Sequence, residues 1–279
     1  MPDVASLEVL LTEGGATLRN AGIPEPRREA RRIWADLHDR SGPGLDGGVG
    51  GELGLCYREL VRRRAAGEPL PYVTGLAGFR RLTLVVDRRV LIPRPETEGL
   101  VELMLTRVRG GQVVDVGTGS GCIALALADE GAYGQVVATD RSAAALSVAT
   151  GNVARFGRNV TLVRTDLVQG FAAGSFDAVV SNPPYLTQAE YRDLDPSVRD
   201  WEPPEALVGG ADGVALVRGL LEGAGRVLRP GGTLALEIDS SRAEACRVLA
   251  VGAGWDEVSV HDDLFGRARY LAARRSDQA

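Results

Sequence analysis

Val113-Val114-Asp115-Val116-Gly117-Thr118-Gly119-Ser120-Gly121 is an apolar run that empties into three glycines, and Cys122 to Asp129, rich in Ala and Leu, follows it. The run reads as a buried strand and the Ala/Leu stretch as a helix, so the glycines form the turn between them. Glycine accepts positive φ and lets the backbone approach a ligand closely. The start of the helix adds N–H groups that have no intrahelical partner. Strand, glycine turn and helix in this order are how a doubly wound α/β sheet holds a nucleotide. The dinucleotide fingerprint puts its third glycine where this chain has Cys122, which disfavours a dinucleotide.

Downstream, three more strand ends carry polar residues. Asp140 closes the run Gln135 to Thr139, and Asp166 closes Val160 to Thr165. A carboxylate at the first of these positions can accept both hydroxyl hydrogens of a ribose. Each acid is also a candidate helix N-cap, and Asp140, ahead of Arg141 to Leu146, is read as both. The third run, Phe176 to Ser181, leads into Asn182-Pro183-Pro184-Tyr185. The Asn amide is planar, with one acceptor and two donors, and can pair edge to edge with another amide or with the amino edge of a base. Two prolines stiffen the loop by restricting their own φ and the residue before each. Tyr185 can supply an aromatic wall. Asn-Pro is also an ordinary turn signal; its place after a nucleotide-type loop favours function. From Thr97 onward helices alternate with apolar strands, which predicts a parallel sheet. The last two strands, near Glu257 to His261 and Ala268 to Ala273, have a short connection and should pair antiparallel.

Upstream, the first forty residues read as two helices separated by Ile23-Pro24-Glu25-Pro26, the second with Ala30, Ile33, Trp34 and Leu37 on one face. Ser41 to Gly54 is glycine-rich and reads as a mobile loop. Tyr57 to Ala66 reads as a third helix, whose Arg62-Arg63-Arg64 is expected to be a solvated face. Leu82 to Val86 and Arg89 to Ile92 are expected to form a hairpin around Asp87-Arg88. The expected organisation is a helical module over 1–75, a hairpin linker over 76–96 and an α/β domain over 97–279.

The 279 residues carry a net charge of −5, which argues against a broad phosphate-binding surface and stable nucleic-acid binding. All 32 basic residues are Arg, which excludes a Lys Schiff base. Cys56, Cys122 and Cys246 are too far apart to suggest a zinc site or a disulfide framework, and each is expected to be a small buried residue. No metal is expected. His38 and His261 stand near no nucleophile motif. The N-terminus does not read as a signal peptide and no stretch is long and apolar enough to span a membrane, so a cytoplasmic protein is expected.

The crowded glycines behind Asp115 resemble the S-adenosyl-L-methionine loop of class I methyltransferases. Nearly the whole chain resembles the HemK/PrmC methyltransferases, which methylate a glutamine side-chain amide in release factors. Asn182-Pro183-Pro184-Tyr185 and Leu91-Ile92-Pro93-Arg94-Pro95-Glu96-Thr97-Glu98 carry most of that resemblance. Pro71 to Gly75, Glu202-Pro203-Pro204-Glu205-Ala206-Leu207 and Asp262 to Arg267 add to it, while Gly78, Arg81 and Asp239 to Arg242 depart from the family pattern. The resemblance implies an α/β fold of the class I, Rossmann-like type, a doubly wound seven-stranded sheet with a terminal antiparallel strand, preceded by a small helical N-terminal domain that recognises the substrate. It implies S-adenosyl-L-methionine bound by Asp115, Gly117, Thr118, Gly119, Gly121, Asp140, Asp166 and Asn182, with Asp166 at the adenine amino group. Arg94 and Glu96 could line the methionine end or form an interdomain ion pair.

The chemistry fits the residue types. An amide nitrogen is a poor nucleophile because its lone pair is delocalised into the carbonyl. The Asn182 oxygen and the Pro183 carbonyl are expected to accept the two hydrogens of the substrate –NH2, with Pro184 and Tyr185 closing the pocket. The Asn182 –NH2 could also donate to the substrate carbonyl. Catalysis is therefore assigned to Asn182, Pro183 and Tyr185. The acceptor expected from the resemblance is the glutamine of the release-factor Gly-Gly-Gln motif. A paralogue acting on another amide or amine, a nucleic-acid adenine amino methyltransferase, and a binding module without catalysis are the alternatives.

Overall fold

The computed structural model describes residues 4–40 and 51–277. The chain divides into two compact units, residues 1–76 with 195–201, and residues 77–194 with 202–279.

The first unit contains α1 (Val4–Asn20), α2 (Pro26–Arg40), α3 (Glu52–Ala65) and α4 (Leu70–Thr74). Leu10, Leu18, Ile33, Trp34, Leu53, Tyr57 and Val61 form its core, with the Trp34 and Tyr57 rings edge to face at 5.7 Å. Helix α3 begins at Glu52, inside the stretch expected to be loop; most of that stretch, 41–50, lies outside the described residues. Its three arginines are ion-paired, Arg62 with Glu59, Arg63 with Glu68 and Arg64 with Glu29 on α2. Cys56 is exposed on α3, contrary to the expectation of burial; it lies beside Leu55, on a face the core does not use.

β1 (Leu76–Phe79), which starts at the last residue of the first unit's leading segment, and β2 (Leu82–Val85) form a two-stranded hairpin. Its turn is at Arg80-Arg81, not at Asp87-Arg88 as expected. Arg80 adopts φ 51° and is held there by Glu98, Glu102 and Glu130. The Asp87 carboxylate instead accepts from the Arg89 N–H, curling that segment into a turn with no second strand.

The sheet follows: α5 (Pro95–Arg107), β3 (Gln112–Val116), α6 (Cys122–Glu130), β4 (Gln135–Asp140), α7 (Ala143–Phe156), β5 (Val160–Arg164) and β6 (Phe176–Ser181). Next come α8 (Gln188–Arg192), α9 (Pro196–Arg199, in the first unit), α10 (Ala215–Val227), β7 (Leu228–Glu237), α11 (Ala243–Gly252), β8 (Asp256–Asp262) and β9 (Ala268–Arg274). The seven-stranded order is β5-β4-β3-β6-β7-β9-β8. Pairs from β5 through β7 are parallel, and β9 runs antiparallel to both β7 and β8. This is the doubly wound α/β sheet with a terminal antiparallel strand that the sequence implied. Val113, Val114, Val179, Val180, Leu234 and Leu236 are wholly buried, as strands covered on both faces must be.

Candidate active site

Chain order and sheet order part company at β3. The chain runs outward through β4 and β5, then crosses to β6 on the other side of β3. Ligands of open α/β sheets bind at the carboxyl ends flanking such a switch point. Val116 and Ser181 are register partners there, and the Ser181 hydroxyl donates to the Val116 carbonyl at 2.7 Å. The residues that follow each, Gly117 and Asn182, therefore leave the sheet side by side.

The glycine turn is held from below. Gly117 N and Thr118 N both donate to the Thr139 carbonyl at 2.9 Å, which pins the turn to β4. Asp115 Oδ2 accepts from the Thr118 hydroxyl at 2.6 Å and from Ala124 N at 3.2 Å, joining strand, turn and α6. Asp115 is fully buried, and burial pushes its carboxyl up to about 7. Its Oδ1 has no hydrogen-bond partner among the described residues. Gly117 and Gly119 have φ of +74° and +56°, and a Cβ on either would project into open space. Both glycines line a cavity. Asn152 on α7 secures the far end, donating to the carbonyls of Ser120 and Val85 at 2.9 Å and accepting from Val85 N at 2.8 Å.

Asp140 Oδ2 accepts from Gly119 N at 3.0 Å, and its Oδ1 accepts from Ser142 N at 2.8 Å. The N-cap of α7 is Ser142, whose hydroxyl accepts from Ala145 N, so Asp140 is not the N-cap as expected but braces the turn two residues ahead of it. A carboxylate has about four acceptor positions, which leaves two for a ligand.

The Asn182 loop is anchored from three directions. Leu186 pairs with Val208 beyond it, through Leu186 N to Leu207 O at 3.0 Å and Gly209 N to Leu186 O at 2.9 Å. A Cβ on Gly209 would overlap the Pro184 carbonyl oxygen, so only glycine permits this approach. Glu202, 1% exposed in its side chain, accepts from Arg94 at 2.5 Å and from Ile92 N at 3.2 Å. It thereby joins the Leu91–Glu98 and Glu202–Leu207 stretches, so Arg94 is engaged in an ion pair within the second unit. Asn182 Nδ2 donates to the Thr97 hydroxyl at 3.0 Å. Asn182 Oδ1 and the Pro183 carbonyl receive no hydrogen bond from the described residues.

One cavity gathers Gly117, Gly119, Asp140, Asp166, Asn182, Pro183 and Pro184, with apolar walls from Leu91, Ala145, Leu167 and Leu220. Asp115, Thr118 and Gly121 are not on its wall; the bonds of Asp115 and Thr118 shape the turn from beneath. Tyr185 is not on the wall either. Its phenol lies among Glu237, Arg269, Asp239 and Arg94, and burial pushes it up to about 12. His38 is exposed near Trp34 in the first unit, and His261 meets Arg107 and Ser259; neither is among the residues that line the cavity. No group of three or more His, Cys, Asp or Glu that could hold a metal occurs among the described residues. Thr97, Asn152, Glu202 and Glu237 have structural roles at the site that the sequence does not assign to them. Two of them carried a signal: Asn152 interrupts an Ala/Val-rich helix, and Glu237 interrupts the apolar run Leu234 to Ile238.

Residues 9–75 match the family model described as the PrmC N-terminal domain, and residues 95–194 match the methyltransferase small domain. The release factor glutamine methyltransferase of Deinococcus radiodurans is 40% identical over 277 residues, 97% of this chain and 99% of the relative. That of Moorella thermoacetica is 40% identical over 98% of this chain and all of its own. The chain belongs to the release factor glutamine methyltransferase family. Among solved structures, a methyltransferase from Pyrococcus furiosus superposes with a TM-score of 0.56 at 24% identity, covering 71% of this chain and 91% of that one. A 16S rRNA N2 methyltransferase of T. Thermophilus, solved with AdoMet and guanosine, superposes at 0.50 with 20% identity, over 72% of this chain and 49% of its own. At these identities the two establish the fold. Arg242 pairs with Glu190 at 2.6 Å, and Glu190 in turn closes the capping box of α8 through Thr187. No helix among the described residues is long and apolar enough to cross a membrane.

Proposed function

We propose that this chain methylates the side-chain amide of the glutamine in the Gly-Gly-Gln motif of peptide chain release factors, with S-adenosyl-L-methionine as donor. The observation that supports it most is Asn182, whose nitrogen is tied to Thr97 and whose oxygen stands without a donor on the cavity wall beside the glycine turn. The open space at Gly117 and Gly119 and the acceptor positions left on Asp140 fit the donor. Asp140 would hold its ribose and Asp166 its adenine amino group. When bound, the donor supplies an electrophilic methyl on a sulfonium, and its departure as a neutral thioether needs no acid.

The chain's own residues do the positioning. Asn182 Oδ1 and the Pro183 carbonyl accept the two amide hydrogens of the substrate, fix the –NH2 plane and turn the nitrogen lone pair toward the methyl group. One Asn182 N–H is already committed to Thr97, which leaves a single N–H for the substrate carbonyl. Orientation of this kind lowers a barrier by up to about 7–11 kcal/mol in favourable systems. The amide proton becomes acidic only once the methyl is on nitrogen and leaves to water, so no strong base is required. Tyr185, outside the cavity wall, backs the loop. We assign residues 1–75 to recognition of the folded substrate, residues 76–96 to the linker and residues 97–279 to catalysis, in the cytoplasm where release factors work.

Incubation with labelled donor and release factor, beside a release factor whose motif glutamine is replaced by glutamate, tests this reading. Label should enter only the glutamine form. Equal label in both would place the methyl elsewhere and refute it.

A further inference from the structure

Glu237 closes β7 and is 2% exposed, with no ion-pair partner within 4.0 Å among the described residues. Its one side-chain hydrogen bond among the described residues comes from Thr97, whose hydroxyl donates to Oε2 at 2.7 Å. Thr97, the third residue of α5, is equally buried and accepts from Asn182 Nδ2 at 3.0 Å. The three side chains form a chain of two hydrogen bonds that ends at the site.

Its direction follows from the number of hydrogens. A hydroxyl has one, and an ionised carboxylate only accepts. With Glu237 charged, the Thr97 hydrogen points at Glu237 and its lone pairs face Asn182. Asn182 must then present its –NH2 to Thr97, which turns its oxygen away, to the substrate side. With Glu237 protonated, the carboxyl can donate to Thr97, and the Thr97 hydrogen becomes available to the Asn182 oxygen. The amide then loses its preference between two orientations, only one of which offers an acceptor to a substrate –NH2.

We propose that Glu237, acting through Thr97, is a positioning residue that fixes which edge of the Asn182 amide meets the substrate. The orientation stands on geometry alone; its effect on turnover rests on the methyl-transfer reading above. Burial raises the Glu237 carboxyl to about 7, opposed by the Thr97 bond and by Arg269 and Arg94, and reinforced by Glu96. The other titratable groups in its field, Tyr185, Tyr270 and Cys122, are each pushed up to about 12 and stay neutral near neutral pH. Ionisation of Glu237 on raising the pH should therefore lock the amide.

Two measurements test this. In the full 15N-labelled chain, the Asn182 side-chain –NH2 signal, identified by its loss in Asn182→Ala, should titrate near neutral pH and cease to do so in Glu237→Gln. Persistence of the same titration in Glu237→Gln overturns the proposal, whatever the protein methylates. In turnover with release factor, Thr97→Val should lower kcat by about 10–100-fold, the scale expected for a misplaced reacting group, with the KM for donor nearly unchanged. Thr97→Ser, which keeps the hydroxyl, should restore most of that loss. Wild-type kcat in Thr97→Val, or a loss in Thr97→Ser as large as in Thr97→Val, overturns it. A wild-type protein that methylates no release factor would count against the proposed function, and the –NH2 titration would still decide the relay.

Discussion

Asn182→Ala separates the proposed clamp from the fold around it. The side chain makes one hydrogen bond to protein, to Thr97 at 3.0 Å, and Thr97 keeps its 2.7 Å bond to Glu237 when that contact is lost. The structural cost is thus one net hydrogen bond, about 0.5–1.5 kcal/mol. In a unit of this size, that lowers Tm by about 1–6 °C. The catalytic cost is larger, because one of two fixed acceptors disappears from the reacting amide. Removing one fixed hydrogen-bonding group from a transition state typically costs about 10²–10³-fold in kcat, or about 2.7–4 kcal/mol. Asp140, Asp166 and the glycine turn do not depend on Asn182, so donor affinity should change by less than about 3-fold, under 1 kcal/mol. Single-turnover methyl transfer, a calorimetric donor titration and a melting curve measure the three quantities on one preparation. A rate loss below about 5-fold, a cost under 1 kcal/mol, would refute the clamp. So would a rate loss matched by an equal loss of donor affinity, since Asn182 would then be only a donor contact.

Asp140→Ala should weaken donor binding by about 10–100-fold, since it removes a charged acceptor and frees Gly119 N and Ser142 N. Asp166→Ala, with no such brace to lose, should weaken binding without lowering Tm; equal Tm losses would remove the distinction. Gly209→Ala drives a Cβ into the Pro184 carbonyl and should cost about 1–3 kcal/mol of stability while abolishing transfer more completely than donor binding. Asp115 carries a folded-state value near 7, above its ordinary 3.8. Its contribution to stability is therefore fully present below about pH 3.8 and falls as pH rises to about 7. Asp115→Asn should gain stability relative to the native protein across that window in melting curves; a constant difference would show that Asp115 does not titrate there.

Local pattern carried the glycine turn, the strand ends at Asp140 and Asp166, and the Asn182 loop, because each is a short run whose chemistry and conformation are fixed by adjacent residues. The same holds for the parallel sheet and its antiparallel finish. What escaped are contacts between distant residues. Thr97 and Glu237 are 140 positions apart, and nothing near either one announces the other. Glu202 likewise meets Ile92 and Arg94 across 110 and 108 positions, so its role as their partner has no local signal. The observed hairpin differs from the expected one for a related reason. Alternation over Leu82 to Ile92 suits two strands, but the Asp87 side chain bends that segment locally. The real turn needs an arginine at φ 51°, which only its three glutamate partners make tenable. The neighbours of Tyr185 in sequence lead one to expect it on the pocket. A stiff loop turns successive side chains in different directions, and the cavity lining takes in Pro183 and Pro184 without Tyr185.

The central claim is most directly tested by incubating the purified chain with S-adenosyl-L-methionine and the release factors of its own organism, then mapping added methyl groups by peptide mass spectrometry. The account predicts a single methyl on the glutamine side chain of Gly-Gly-Gln. A protein that binds the donor yet leaves that glutamine unmodified, or modifies a different residue, would contradict it.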